Sequence, residues 1–256
     1  MTGIRRVLAP NPGPMTLDGT NTWVIDVGAG VLIVDPGPAD RAHLDEAIGA
    51  SVVASVLLTH RHPDHSAALD MLPSGTPVHA ADPALARSSA PLRRGAMLAF
   101  SPVRIEVLST PGHTDDSVCF RVDSEGASCV ITGDTLLGGR HATFVSRRSG
   151  DLDALLSSLA TISSLRGLPG LPGHGDFIPD VGAHASAALA HHHRRLTRLE
   201  KLLRAHPDLD LEYHLRSRYP NDPGRRRAAA WMAHVEADYL RSTGRLSRPV
   251  GPLDPP

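Results

Sequence analysis

Residues 59–65 read Thr59-His60-Arg61-His62-Pro63-Asp64-His65, so four metal-ligating side chains crowd into six positions. They follow directly on an apolar run, Val52-Val53-Ala54-Ser55-Val56-Leu57-Leu58, whose length and β-branched content predict a buried strand. A loop leaving the C-terminal end of such a strand can aim several side chains at one point. Imidazole and carboxylate at this density suit zinc or a similar divalent ion. The chain is thereby restricted to folds in which a strand end opens onto a metal.

Three more segments repeat the arrangement. Pro111-Gly112-His113-Thr114 follows the strand-like Arg104-Ile105-Glu106-Val107-Leu108. Thr132-Gly133-Asp134-Thr135 follows Ala127-Ser128-Cys129-Val130-Ile131, and Pro172-Gly173-His174-Gly175 follows the apolar segment around Leu168 and Leu171. Each sets a donor beside a glycine, which lets the backbone turn sharply toward an ion. Together the donors suffice for two ions. His60, His62 and His113 form one site, Asp64, His65 and His174 the other, and Asp134 can bridge them. Three protein ligands and a bridge leave each ion a place for water, as in a catalytic site. Two ions about 3.5–4 Å apart can share a hydroxide and clamp a reacting oxygen. In that scheme Asp134 orients the nucleophile and takes its proton, and Asp64 is the second carboxylate at the reacting centre.

This pattern resembles the metallo-β-lactamase superfamily. Asp35, closing the run Val31-Leu32-Ile33-Val34, stands where that family has its first-motif aspartate. The resemblance implies an α/β fold of αββα type, two mixed sheets sandwiched between helices with metals at one edge. It also implies two divalent ions, with zinc as the first expectation. Asp35, with Thr59 beside it, would steady the metal loop from behind the ligands. The segment Asn11-Pro12-Gly13-Pro14-Met15-Thr16-Leu17-Asp18-Gly19-Thr20-Asn21-Thr22-Trp23-Val24-Ile25 is similar to the opening of the β-lactamase-like protein 2 group. That group implies a small, mainly helical winged-helix-like domain after the last histidine motif, hence a catalytic domain at 1–183 and an appendage at 184–256. Two departures stand out. Ser66-Ala67-Ala68 replaces a pair of glycines found in many relatives, although alanine suits a helix there. Leu136-Leu137-Gly138-Gly139-Arg140 lacks an obvious glyoxalase-II-like extended loop. A long inserted tRNA-gripping arm is not evident either.

Composition narrows the rest. At 256 residues and 41% hydrophobic, the chain suits one large domain or one domain with an appendage. Aromatics are only 4%, so the core must be built from Ala, Val, Leu and Ile. No stretch approaches the roughly 20 apolar residues of a membrane span, and Met1 to Val7 carries no leader pattern. A cytoplasmic protein is expected, with Cys119 and Cys129 as reduced core thiols. Residues 191–256 hold 13 Lys+Arg against 8 Asp+Glu, a balance of +5, while the remainder carries −6. The basic tail permits nucleic-acid contact without requiring it.

Periodicity predicts a helix from Asp40 to Ala50, one beginning after Asp64, and three more at His184–His206, Leu209–Tyr219 and Arg225–Leu240, the last with Trp231, Met232, Val235, Tyr239 and Leu240 inward. Ser242 to Leu246 is expected to form a short wing and Pro249 to Pro256 to be disordered. His191-His192-His193 sits mid-helix, where consecutive residues point apart, and is read as structural or as lying at the substrate edge. His43, His79, His141, His184, His206, His214 and His234 lack motif context and are read as surface or capped.

Three functions compete. The resemblance to the β-lactamase-like protein 2 group and the basic tail favour phosphodiester hydrolysis of single-stranded RNA, an endoribonuclease-like activity. The same donors serve a glyoxalase-II-like thioester or small-ester hydrolase, and scarce aromatics leave few platforms for stacked bases. The third reading is a non-catalytic, metal-containing binding module. True lactamases typically place cysteine or histidine where this chain has Asp134, which argues against β-lactam hydrolysis. A homodimer is expected only if the C-terminal helices expose an apolar face.

Overall fold

A computed structural model describes residues 3–139, 142–146, 148–206, 209–218, 221 and 223–246. It divides into two compact units, residues 1–186 and 187–256.

The first unit contains two five-stranded sheets. One holds β1 (Ile4–Leu8), β2 (Asn21–Asp26), β3 (Val31–Val34), β4 (Val53–Leu57) and β5 (Val78–His79) in sequential order. The other runs from β6 (Met97–Phe100) through β7 (Val103–Ser109), β8 (Val118–Ser124) and β9 (Ala127–Gly133) to β10 (Gly170–Pro172). Both are mixed. β1 to β3 and β6 to β9 pair antiparallel, whereas β3, β4 and β5, and likewise β9 and β10, pair parallel.

Alternation along each strand sorts residues between two cores. Trp23, Ile25, Leu32, Val34 and Leu57 from the first sheet meet Val103, Ile105, Val107, Phe120, Val122, Cys129 and Ile131 from the second. The intervening residues Val24, Ile33 and Val56 face the opposite way, onto Leu44 and Ala47 of helix α1 (Arg41–Ile48). Aromatic scarcity shows here: Phe120 is the one aromatic among the largest fully buried side chains. Cys119 and Cys129 are buried free thiols.

The helices have sequence-encoded ends. The Asp40 carboxylate accepts the His43 N–H at 3.0 Å and starts α1, which stops at Gly49 with φ +60°. Pro63 begins the one-turn α2 (Pro63–Ser66), which tightens into a 3-10 turn over Ala67–Met71. α3 (Leu152–Ile162) is capped by Asp151. Its backbone at Leu155 lies so near Gly112 that a Cβ there would come within 2.3 Å of it. Glycine is therefore required beside His113 for α3 to pack on that loop.

Helix α4 (Val181–Ala205) leads into the second unit, which also holds α5 (Leu211–Arg218) and α6 (Pro223–Ser242). Within that unit Arg195 Nε meets Glu236 Oε1 at 2.7 Å, and Glu200 accepts from both Arg204 and Arg245. Two expectations are corrected. Residues 243–246 form no wing strand: α6 runs through Ser242 and ends in a turn at Gly244, φ +72°. Trp231 faces outward at 36% exposure, whereas Met232 and Leu240 are buried as expected, together with Ala233 and Ala237. Pro249 to Pro256 lies outside the described residues. No helix among the described residues is long and apolar enough to cross a membrane.

Candidate metal centre

β7 and β9 each run antiparallel to β8, so they run parallel with one another and with β10. β3 and β4 are likewise parallel. Their C-terminal ends deliver Asp35, residues 59–65, His113, Asp134 and His174 to one place. Gly133, at φ +47°, sits where a Cβ would fall 2.6 Å from Thr59, and a Cβ on Gly173 would fall 2.4 Å from Asp134 Oδ1. Without side chains at these two positions, the loops close to hydrogen-bonding range.

Three groups of donors could each hold an ion: His60 with His62 and His113, His60 with His65 and Asp134, and Asp64 with His65 and His174. Within each group the donor atoms lie within 4.8 Å of one another. His62 Nδ1 is 3.0 Å from His60 Nε2 and 2.9 Å from His113 Nε2. His65 Nε2 and His174 Nε2 are 3.2 Å apart, and Asp64 Oδ2 lies 3.3 and 3.2 Å from them. Asp134 reaches both ends, 3.6 Å from His65 Nε2, 3.6 Å from His113 Nε2 and 3.4 Å from His174 Nε2. All seven expected ligand residues are thus gathered together.

Hydrogen bonds on the far side of the rings fix which nitrogen faces inward. His113 Nδ1 donates to the Phe144 carbonyl at 2.6 Å, His174 Nδ1 to the Gly19 carbonyl at 3.0 Å, and His65 Nδ1 to Asp35 Oδ2 at 2.9 Å. The Thr59 hydroxyl donates to Asp35 Oδ2 at 2.7 Å, so His60 Nδ1 donates to Thr59 Oγ1 at 3.0 Å. A ring that carries its proton on Nδ1 offers a bare lone pair at Nε2. The Nε2 atoms of His65 and His174 therefore face one another across 3.2 Å. Buried Asp134 Oδ1 has no hydrogen-bond partner. Converging ring nitrogens whose other nitrogen is already committed, beside a buried carboxylate oxygen without a partner, need cations among them, whether protons or metal, so the donor set fits divalent metal.

Charge preferences agree. Burial would depress His174, but Asp134 and Asp64 outweigh it and hold the ring at about 10. His65 is likewise raised against burial, by Asp134, Asp35 and Asp64. Burial would raise the Asp64 and Asp134 carboxyls, yet His65 and His174 hold both well below the usual carboxylate range. At the other end, burial and then His113 push His62 down to about 4, and burial with His65 and His113 also lowers His60. Metal-free, the carboxylate end draws protons while His60 and His62 reject them. Bound cations would relieve both.

The Asp35 backbone takes φ +53°, a left-handed conformation rare for a non-glycine residue. Its carboxylate accepts from the Thr59 N–H at 2.8 Å as well as from Thr59 Oγ1 and His65. His43 is a correction to the sequence reading. It is buried, and its Nε2 lies 2.8 Å from Thr22 Oγ1, which donates to the Asp35 carbonyl. No motif spacing marked it. The Gly19-Thr20-Asn21-Thr22 turn also gains a physical reason. Asn11 Oδ1 accepts from the Thr20 N–H, Thr20 Oγ1 donates to Asp64 Oδ2 at 3.2 Å, and Asn21 Nδ2 donates to the carbonyls of Pro172 and Gly175. Arg61 lies between two candidate ligands and reaches Asp115 at 2.5 Å. His192 is buried while His191 and His193 are exposed, so the tract does not converge on a single ion.

Residues 15–91 match the model of the metallo-beta-lactamase superfamily. The chain is similar to the atrochrysone carboxyl ACP thioesterase of Passalora fulva, 33% identical over 201 residues that cover 75% of this chain and 59% of the relative. It spans about three-fifths of the length of the curated relatives it matches, 62%, 63% and 59% for three of them. The metallo-beta-lactamase family protein TTHA1429 from Thermus thermophilus shares the fold, with a TM-score of 0.72, 24% identity and 95% of both chains covered. TTHA1623, solved in a di-iron-bound form, aligns with a TM-score of 0.54 and 27% identity over 71% of this chain and 96% of its own. The matched family segment thus carries Asp35 and the donors from His60 to His65, and the fold is that of a solved metallo-beta-lactamase family protein.

Proposed function

We propose that this protein is a binuclear metal-dependent hydrolase of acyl thioesters. The observation that carries the reading is the convergence of donor atoms: His60, His62 and His113 would hold one ion, Asp64, His65 and His174 the other, with Asp134 between them. Bound there, divalent ions supply Lewis acidity at the scissile carbonyl and lower the pKa of water toward about 7. The remaining work falls to the protein. Asp134 Oδ1, buried and without a partner, orients the attacking water and accepts its proton. Asp64, its side chain 26% exposed, takes the Thr20 hydroxyl on Oδ2, the oxygen that also faces His65 and His174, and would lie toward the leaving group. Asp35 and Thr59 keep the imidazoles in the ligating tautomer. Zinc remains the proposed ion. Iron is its competitor, because the same donor types serve both and TTHA1623 is known in a di-iron-bound form.

The thioester preference is supported by the cleft and by the Passalora fulva relative, whose name is that of a thioesterase. Among the described residues lining the cleft there is no lysine or arginine to hold a phosphate. The +5 balance of residues 191–256 favours a second reading, single-stranded RNA, together with placement beside the β-lactamase-like protein 2 group on the Asn11–Ile25 turn. A paired assay separates them. Metal-loaded protein is offered an acyl thioester and single-stranded RNA side by side, with Asp134→Ala as control. Thioester cleavage that Asp134→Ala abolishes is expected. RNA cleavage alone, lost in the same variant, would overturn the thioester reading.

A further inference from the structure

Beside the candidate ligands, the cleft is lined by Met15, Thr16, Leu137, Thr143 and Phe144. The side chains of Met15, Leu137 and Phe144 carry no hydrogen-bonding hydrogen. The other two have already committed theirs: Thr16 Oγ1 donates to the Asn11 carbonyl at 2.5 Å, and Thr143 Oγ1 to the Asp134 carbonyl at 2.9 Å. Among the described residues, this wall therefore offers a ligand no free side-chain donor and no charge. Met15 is also 57% exposed, a large apolar side chain standing in water beside a cluster of donors. A polar or anionic ligand group seated here would lose hydration without compensation, whereas an apolar one gains.

The wall is also tied to the donors. The Phe144 carbonyl holds His113, and the Gly138 N–H, next to Leu137, donates to the His174 carbonyl at 3.0 Å. Asn11, which fixes Thr16, also holds Thr20 and through it Asp64. A ligand chain resting on the wall is thereby registered against both ends of the donor cluster. Binding energy gained away from the reacting atoms can then be used to orient them.

From this we infer that Met15, Leu137 and Phe144 form a subsite for the aliphatic chain of an acyl group whose carbonyl lies at the donor cluster, so that the substrate class is medium-chain acyl thioesters rather than acetyl or other short ones. The inference rests on the thioesterase reading for its turnover, but the subsite can be tested without turnover.

The test uses two series of matched chain length, from two to ten carbons, on the metal-loaded full chain. S-alkyl thioethers of N-acetylcysteamine, which lack the scissile carbonyl, are titrated calorimetrically. The matching S-acyl thioesters are then assayed for hydrolysis. Affinity is expected to rise about fourfold per methylene until the wall is covered, with kcat/KM following the same slope. Met15→Gln, a similar-sized change at an exposed position, should flatten both slopes, and Phe144→Ala should flatten them further. Affinity independent of chain length in the wild type, or a slope untouched by both variants, would overturn the subsite. A rising thioether slope with no thioester hydrolysed at any length would leave the subsite standing and sink the thioesterase reading.

Discussion

Asp35 shows how one side chain can organise a site without touching a metal. Its left-handed backbone sends the carboxylate back toward Thr59 and His65, and three donors converge on it. Replacing Oδ2 with an amide nitrogen removes the acceptor of His65 and of the Thr59 hydroxyl, which frees the His65 ring and, through Thr59, the His60 ring to flip. Asp35→Asn should therefore weaken metal binding about 10- to 100-fold with the fold retained, measured by competition with a chromogenic chelator. Unchanged affinity would show that the ring tautomers do not depend on Asp35. Gly173 argues from the opposite direction. A Cβ there would come within 2.4 Å of Asp134 Oδ1 and 2.8 Å of His65 Cε1. Gly173→Ala is expected to displace Asp134 and cut thioester turnover at least as severely as Asp35→Asn, read from initial rates beside a circular-dichroism spectrum. At this scale the sequence was informative about ligands and poor about their supports. Histidines past a strand announce themselves by spacing, whereas His43, Thr20 and the Phe144 carbonyl act through tertiary proximity that no local pattern encodes.

At the scale of elements, the centre is a convergence of loops, and Arg61 joins two of them. It sits between His60 and His62, yet its Nη2 reaches Asp115, and its Nε lies 3.2 Å from both Asp82 and Asp116. It thus ties the loop after β4 to the loop after β7, which carries His113. Its side chain is 36% exposed, so the ion pairs add little to global stability in solvent. Their effect should be local. Arg61→Ala is expected to weaken the ion at the three-histidine end about tenfold and spare the other. Cobalt titration followed by visible absorption would then show one of two binding phases shifted. Two unshifted phases would mean that the loops hold their register unaided. The strands themselves were readable, because apolar alternation and glycine-flanked ends leave little choice of register. The end of α6 was not. Its continuation through Ser242 and the outward turn of Trp231 follow from how this helix packs within its own unit.

Across the whole molecule, stability carries a signature of acid sensitivity from outside the centre. His192 is buried, and its Nδ1 has no partner. Burial, then Arg195 and the rings of His191 and His193, push it down to about 4. The folded state keeps it neutral, while the unfolded chain takes up a proton below its ordinary value near 6.5. This contribution is complete above pH ~6.5 and falls away as pH drops toward 4, by about 3 kcal/mol in all. His192→Leu should reduce the loss of melting temperature between pH 7 and pH 5, measured by calorimetry on metal-free protein. An identical pH slope would remove His192 as a source. The helices after His174 were legible from their 3.6-residue spacing, and strands and short helices alternate before it. What covers the cleft did not follow, because Met15 and Phe144 come from distant, irregular stretches. The central claim, a centre for two ions, is tested most directly by titrating the chelator-stripped protein with zinc in a calorimeter. The account predicts about two ions per chain, and about one fewer tight ion when Asp134→Ala removes the carboxylate that spans both ends. A single ion, or an undiminished count in the variant, would contradict it.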